Sequence, residues 1–202
     1  MKSLTLPHVV VAMSIVATGA AWAQGTPLSA VIDGDAAANT AGRIAVNQVS
    51  GGGNAQANLA ALSTDAAGVV SSQVVGRAAP GLSASSRLAG SSFNGAAGLV
   101  SINQASGAGN AQVNVAVIAP TASVVQQQSH HIESLADSAL SGVAAQSRRQ
   151  DAAPAAEGRQ DASIASTALR NTSGVVQVNQ AAGTGNVVSN VFVLRPPAGT
   201  LF

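Results

Sequence analysis

His130 and His131, followed by Glu133 and Asp137, form the densest group of metal-ligating side chains in the 202-residue sequence. On a helix Glu133 and Asp137 would share a face at i, i+4. Adjacent histidines point to different faces, however, and the chain has no cysteine to add a ligand. A solvated face accounts for the group, and we assign no metal. Nucleophilic catalysis is served no better. Beyond His8 the only histidines are this adjacent pair, and no G-x-S-x-G elbow occurs. The Gly-rich words "GGGNAQ" and "GAGNAQ" carry no lysine to hold a phosphate, which excludes a P-loop. The chain reads as a non-enzyme with no cofactor and no small-molecule substrate.

The chemistry that does recur is that of the side-chain amide. Three units share one pattern: Gly42–Leu62, Gly98–Ile118 and Gly174–Leu194. Each starts with Gly and reaches an Asn-Gln pair at Asn47-Gln48, Asn103-Gln104 or Asn179-Gln180. Glycines follow at Gly51 and Gly53, Gly107 and Gly109, and Gly183 and Gly185. Asn54, Asn110 and Asn186 come next, and then Asn58, Asn114 and Asn190. Gln56 and Gln112 stand between these asparagines, where the third unit has Val188. An amide both donates and accepts. Identical units stacked in register would put Asn over Asn and Gln over Gln at roughly 4.7–4.8 Å, each satisfied without water. A charge at such a position would lie on a like charge in every layer. The absence of charge from the units is what a self-stacking layer requires.

The elements that must hold these amides are strands. Inside each unit the period is two. Ile44 and Val46, Val100 and Ile102, and Val176 and Val178 point to one side of the first arms. Ala111, Val113, Val115 and Val117 share one face of the second arm of the middle unit, opposite Asn110, Gln112 and Asn114. β-Branched residues at alternate positions favour strand over helix. The glycines let the chain turn between the arms. The expected fold is all-β: three strand-turn-strand repeats stacked as a short β-solenoid or cross-β sheet.

The spacing between units is unequal, so long variable segments must join them. Residues 63–97, rich in Ser, Ala and Gly, read as a linker with little structure. In the linker 119–173, Ile132, Leu135, Leu140 and Val143 have near-helical spacing, which predicts a short helix over 126–146. "RRQDAAPAAEGRQD", Arg148 to Asp161, reads as disordered. Residues 24–41 form an N-terminal segment and 195–202 a tail. Asp33 and Asp35 precede unit one, and Arg195-Pro196-Pro197 follow unit three as a stop for that edge.

The first 23 residues have the form of an export leader: Lys2, an apolar run from Val9 to Ala21, and Ala21-Trp22-Ala23 as a small-residue cleavage site. Cleavage between Ala23 and Gln24 removes the only Lys and the only Trp. Eight Arg then balance eight Asp plus Glu, so net charge is zero and nothing favours nucleic acid. No disulfide framework is available, and a core of Ala and Val yields little on burial.

The unit N-x-x-[SA]-G-x-x-N-x-Q-x-N followed by alternating Ala and Val, with "VNQAAGTGN" as the nearest wording, resembles the repeats of the Fap functional amyloids of biofilm-forming bacteria. Curli subunits are more weakly similar, with a Gln-to-Asn step one residue shorter and minimal linkers. The Fap resemblance covers the three units. It implies a chain exported through the periplasm and an outer-membrane machinery to the cell surface, where it polymerises with itself and with other subunits into fibres that support biofilm and adhesion. Val188 and the lack of a C-terminal Cys pair depart from the pattern of a main subunit. An accessory or nucleating subunit, and a monomeric β-repeat adhesin, are the alternative readings.

Overall fold

The computed structural model describes residues 9–17, 27–75, 83–130 and 158–197. They hold twelve strands: β1 Val9–Ala17, β2 Leu28–Ile32, β3 Ala41–Ser50, β4 Ala55–Leu62, β5 Ala66–Val75, β6 Ala84–Leu88, β7 Ala97–Ala108, β8 Ala111–Ile118, β9 Thr121–His130, β10 Gln160–Ile164, β11 Ser173–Thr184 and β12 Val187–Leu194. There is no helix among the described residues.

The strands pair only as parallel neighbours from different parts of the chain. They form four three-stranded sheets, ordered β2-β6-β10, β3-β7-β11, β4-β8-β12 and β1-β5-β9. Strands consecutive in sequence face each other instead of pairing. The chain therefore runs through the four sheets in turn and then climbs one layer. β2 to β5 make a lower rung, β6 to β9 a central rung, and β10 to β12 an upper rung of only three strands. The register is the repeat register: Asn47 pairs with Asn103, and Asn103 with Asn179.

Two apolar seams flank an amide seam. Ile32, Leu88, Phe93, Val100 and Ile102 pack between the first and second sheets. Ala57, Leu59, Val113, Val115 and Val117 pack on Ala67, Val69 and Ala122 between the third and fourth. Val100 and Ile102, and Val113, Val115 and Val117, lie on the apolar faces that the period-two pattern assigns, whereas Ile32, Leu88, Phe93, Ala67, Val69 and Ala122 come from segments read as N-terminal segment or linker. The small side chains let the sheets approach closely, and the ladders supply the backbone bonding that a thin core needs.

Three expectations are corrected here. Residues 63–97 are not an unstructured linker, because β5 and β6 lie within them. Val69, Val70, Val74 and Val75 supply β-branched residues, and Ala67, Val69, Ser71, Gln73 and Val75 are buried at alternate positions. The helix over 126–146 conflicts with β9, which reaches His130 in register with β5. Its β-branched start, Thr121, Val124 and Val125, extends Val69 and Val70 of the lower rung. The remaining residues of that helix lie outside the described residues. So does most of the stretch read as disordered, except that Gln160 and Asp161 open β10. Val9–Ala17, inside the expected leader, pair with β5 as β1, while Ala23 and Gln24 lie outside the described residues.

The corner between the first and second sheets belongs to the repeat as well. Ala37 and Asn39, Phe93 and Gly95, and Leu169 and Asn171 all take positive φ there. Phe93 is buried beneath this corner, and its N–H donates to the Ala36 carbonyl at 2.7 Å.

Candidate functional site

β7 is buried on both faces, so its Asn-Gln pair works in two directions at once. Asn103 points toward the third sheet. Its Nδ2 donates to Asn47 Oδ1 below at 3.0 Å, and its Oδ1 accepts from Asn179 Nδ2 above at 3.0 Å. Gln104 points toward the first sheet. Its Nε2 donates to Gln48 Oε1 at 2.7 Å, and its Oε1 accepts from Gln180 Nε2 at 2.7 Å. The same amide nitrogens also reach backbone: Gln104 bonds the Arg87 carbonyl, Gln180 that of Ser163, and Gln48 that of Val31. The glutamine column therefore ties the second sheet to the first in every rung.

The second arm carries three more columns. Asn110 Nδ2 donates to Asn54 Oδ1 at 2.8 Å, and Asn186 Nδ2 to Asn110 Oδ1 at 2.8 Å. Asn114 Nδ2 donates to Asn58 Oδ1 at 2.9 Å, and Asn190 Nδ2 to Asn114 Oδ1 at 3.0 Å. Gln56 Nε2 donates upward to Gln112 Oε1 at 2.7 Å, and Gln112 Nε2 turns to the Gln104 carbonyl. Val188 ends that column. In the central rung Asn103, Gln104, Asn110, Gln112 and Asn114 are fully buried. A buried amide without a partner costs about 1–3 kcal/mol, so each column is stable only while every layer matches.

The turn glycines are required by contact as well as by φ. Gly51, Gly107 and Gly183 have φ of 110°, 120° and 110°, and Gly53, Gly109 and Gly185 lie near 70°. A β-carbon on Gly51 would overlap the Gly107 carbonyl, and one on Gly107 the Gly183 carbonyl. Backbone thus lies on backbone at the turn. At the top of this column the side chain of Gln160 covers Gly183.

The two end faces differ. Four of the five columns point their N–H₂ groups downward and their carbonyl oxygens upward. The upper face accordingly presents Asn and Gln oxygens, and the lower face presents Asn47 with its Nδ2 as donor. Among the described residues Arg43 is the one charged side chain on the strand faces that border the amide seam, at an exposed position. It stands where Leu99 and Val175 stand in the other rungs, and its Nη2 donates to the Asn58 carbonyl at 2.9 Å. The sequence reading passed over Arg43, though its place in the period-two face was visible. At the other end Arg195 Nη2 donates to the Ala122 carbonyl of β9 at 2.9 Å. No group of metal-ligating side chains comes together among the described residues; His130 closes β9, and His131, Glu133 and Asp137 lie outside them.

A family model described as the functional amyloid protein FapB/FapC family matches residues 12–197. No solved structure matches the chain.

Proposed function

The chain belongs to the functional amyloid protein FapB/FapC family, and from that premise we propose that it is an exported structural subunit whose rungs continue from one copy to the next in cell-surface fibres. The observation that carries this is the register. Asn47, Asn103 and Asn179 stack residue on residue, as do Gln48, Gln104 and Gln180, so an added rung meets the same amides that an internal rung meets. The end faces are unlike and complementary, acceptor-rich above and donor-bearing below. Contacts between unlike faces do not close and therefore build filaments. Export through the outer membrane, joint assembly with other subunits and support of biofilm and adhesion follow from the same reading.

Fibre diffraction on residues 24–202 after quiet incubation at neutral pH tests it. Pelletable fibres with a meridional reflection at roughly 4.7–4.8 Å are expected. A chain that stays soluble and folded would refute it.

A second reading, a nucleating or terminal subunit, is favoured by the upper face itself. Val188 interrupts the glutamine column there, and Gln160 lies over Gly183. Such a subunit would leave no fibres alone, yet would shorten the lag of a partner subunit at low stoichiometry.

A further inference from the structure

The fourth sheet is one strand out of step with the other three. Each sheet holds three strands, but β1 lies below β5, whereas β2, β3 and β4 have no partner below them among the described residues. The upper rung shows the complement: β9 ends its sheet one layer before β10, β11 and β12 end theirs. The missing cover shows in exposure. Val191 is 50% exposed, whereas its counterparts Leu59 and Val115 are 7% and 0% exposed. Val193 is 38% exposed against 6% for Ala61 and 0% for Val117. One sheet therefore projects a strand at the lower end and leaves a place one strand wide at the upper end.

We propose that this step is a joint between copies: in the unprocessed chain, β1 of one copy fills the open place above β9 of the copy beneath. The joint rests on the head-to-tail stacking of the proposed function. Setting the lower rung of one copy on the upper rung of another puts β5 two layers above β9. β1, one layer below its own β5, falls in the layer between. The fourth sheet then runs β5, β9, β1, β5, β9 through the joint, with every strand parallel. The register follows from the pairs within one copy, since Ala67 pairs with Ala122 on one side and with Val9 on the other. Val9 comes over Ala122, Val10 over Ser123, Val11 over Val124 and Ala12 over Val125. The backbone agrees. Thr121 N–H donates downward to the Asp65 carbonyl, so alternation along a parallel strand turns the N–H and C=O groups of Ala122 and Val124 upward, to the open place. The Ala122 carbonyl there already draws Arg195 Nη2 to 2.9 Å, and in the joint the Val10 N–H takes it. β1, VVVAMSIVA, carries no charge, as a strand stacked between layers requires. Its residues lie in the expected export leader. Unprocessed copies therefore interlock through four sheets, and loss of residues 1–23 leaves three sheets to carry the joint.

Disulfides between copies test this, because the chain has no cysteine of its own. Paired residues on adjacent strands have the Cα separation that a disulfide accepts. Two full-length chains, one carrying Ser123→Cys and the other Val10→Cys, are refolded together and oxidised. Tags of different length identify the mixed dimer on a denaturing gel. Ser123→Cys with Val11→Cys, one residue out of register, is the control. The expected result is a mixed bond forming at least about tenfold faster in the matched pair. Val125→Cys with Ala12→Cys repeats the measurement at a second matched position, should the first variants fail to fold. Equal rates in matched and shifted pairs would overturn the joint, as would the absence of mixed bonds or a majority of like-to-like bonds. Fibre formation by residues 24–202 is read separately. If those fibres form while matched and shifted pairs react alike, the joint fails and the fibre reading stands. If residues 24–202 stay soluble, the fibre reading fails, and the mixed bond still decides the joint.

Discussion

Asn114 faces Asn103 across the interior of the central rung, its Nδ2 donating to Asn103 Oδ1 at 3.0 Å. The lower rung repeats the contact between Asn58 and Asn47 at 2.9 Å, and the upper rung between Asn190 and Asn179 at 2.7 Å. The asparagine columns are therefore bonded across each rung as well as along the stack. This cross-link holds the two arms of a repeat together without a large apolar side chain, and it explains how a core of Ala and Val can be specific. Packing small residues alone gives little energy and poor register; a net of amides allows only one register.

That net makes charge substitution severe. Asn114 Nδ2 lies among three acceptors, Asn58 Oδ1, the Ile102 carbonyl and Asn103 Oδ1. Asn110 Nδ2 likewise serves Asn54 Oδ1 and the Gly183 carbonyl. An aspartate at either place sets an oxygen against oxygens in a fully buried position. Each lost buried bond costs about 1–3 kcal/mol, before any charge is buried. The double variant Asn110→Asp with Asn114→Asp should lengthen the lag of fibre formation more than about tenfold at neutral pH. Thioflavin kinetics matching those of the parent chain would count heavily against the net.

Glycine substitutions should separate folding from assembly. A β-carbon on Gly98 would overlap the Gly42 carbonyl, and one on Gly174 the Gly98 carbonyl. On Gly42, at the same position of the lowest rung, a β-carbon meets nothing within 4 Å. Its direction is toward the rung that another copy would add from below. Gly98→Ala should therefore destabilise the chain itself, by both strain and overlap. Gly42→Ala carries only the strain of its φ of 104°, about 1–3 kcal/mol, within one chain, yet should block addition at that face. Seeded growth and circular dichroism on the two variants would expose the difference, and equal effects on both measurements would argue against head-to-tail stacking.

Much of this was legible in the sequence, and the part that was not has a physical cause. The amide columns and apolar faces follow from period two in units whose residue types repeat. The first-sheet strands escaped notice because Leu28–Ile32, Ala84–Leu88 and Gln160–Ile164 are only five residues long and keep no position identical in all three. What they share is geometry. Ile32, Leu88 and Ile164 each stand ten residues before Gly42, Gly98 or Gly174, with a positive-φ corner between. β5 and β9 were hidden by composition, since Ser, Gln and Ala in a strand look like linker until their pairing is known. The helical spacing assigned near residue 132 had no way to compete with β9, whose partner β5 supplies a full ladder.

Arg43 should act as a brake. It is an inward charge on an end rung, a device that discourages edge-to-edge addition. In a stack it would face the apolar place of Val175 of the next copy. Arg43→Leu restores the residue type of Leu99 and should speed elongation severalfold while leaving the fold intact. Slower growth in this variant would mean that the guanidinium, through its bond to the Asn58 carbonyl, supports the lower face instead.

Val188→Gln offers a gain in place of a loss. Gln56 Nε2 donates to the Gln48 carbonyl and Gln112 Nε2 to the Gln104 carbonyl, each at 3.0 Å. A glutamine at 188 stands in the same relation to the Gln180 carbonyl. It would also continue the column that Val188 ends above Gln112. The net worth of one such bond is about 0.5–1.5 kcal/mol, offset in part by removing a half-buried valine. The variant should be at least as stable in denaturant as the parent and should seed new growth from its upper face more efficiently. If seeding by the variant were weaker, the upper face would be an end by construction, and the nucleating or terminal role would become the better reading of this chain.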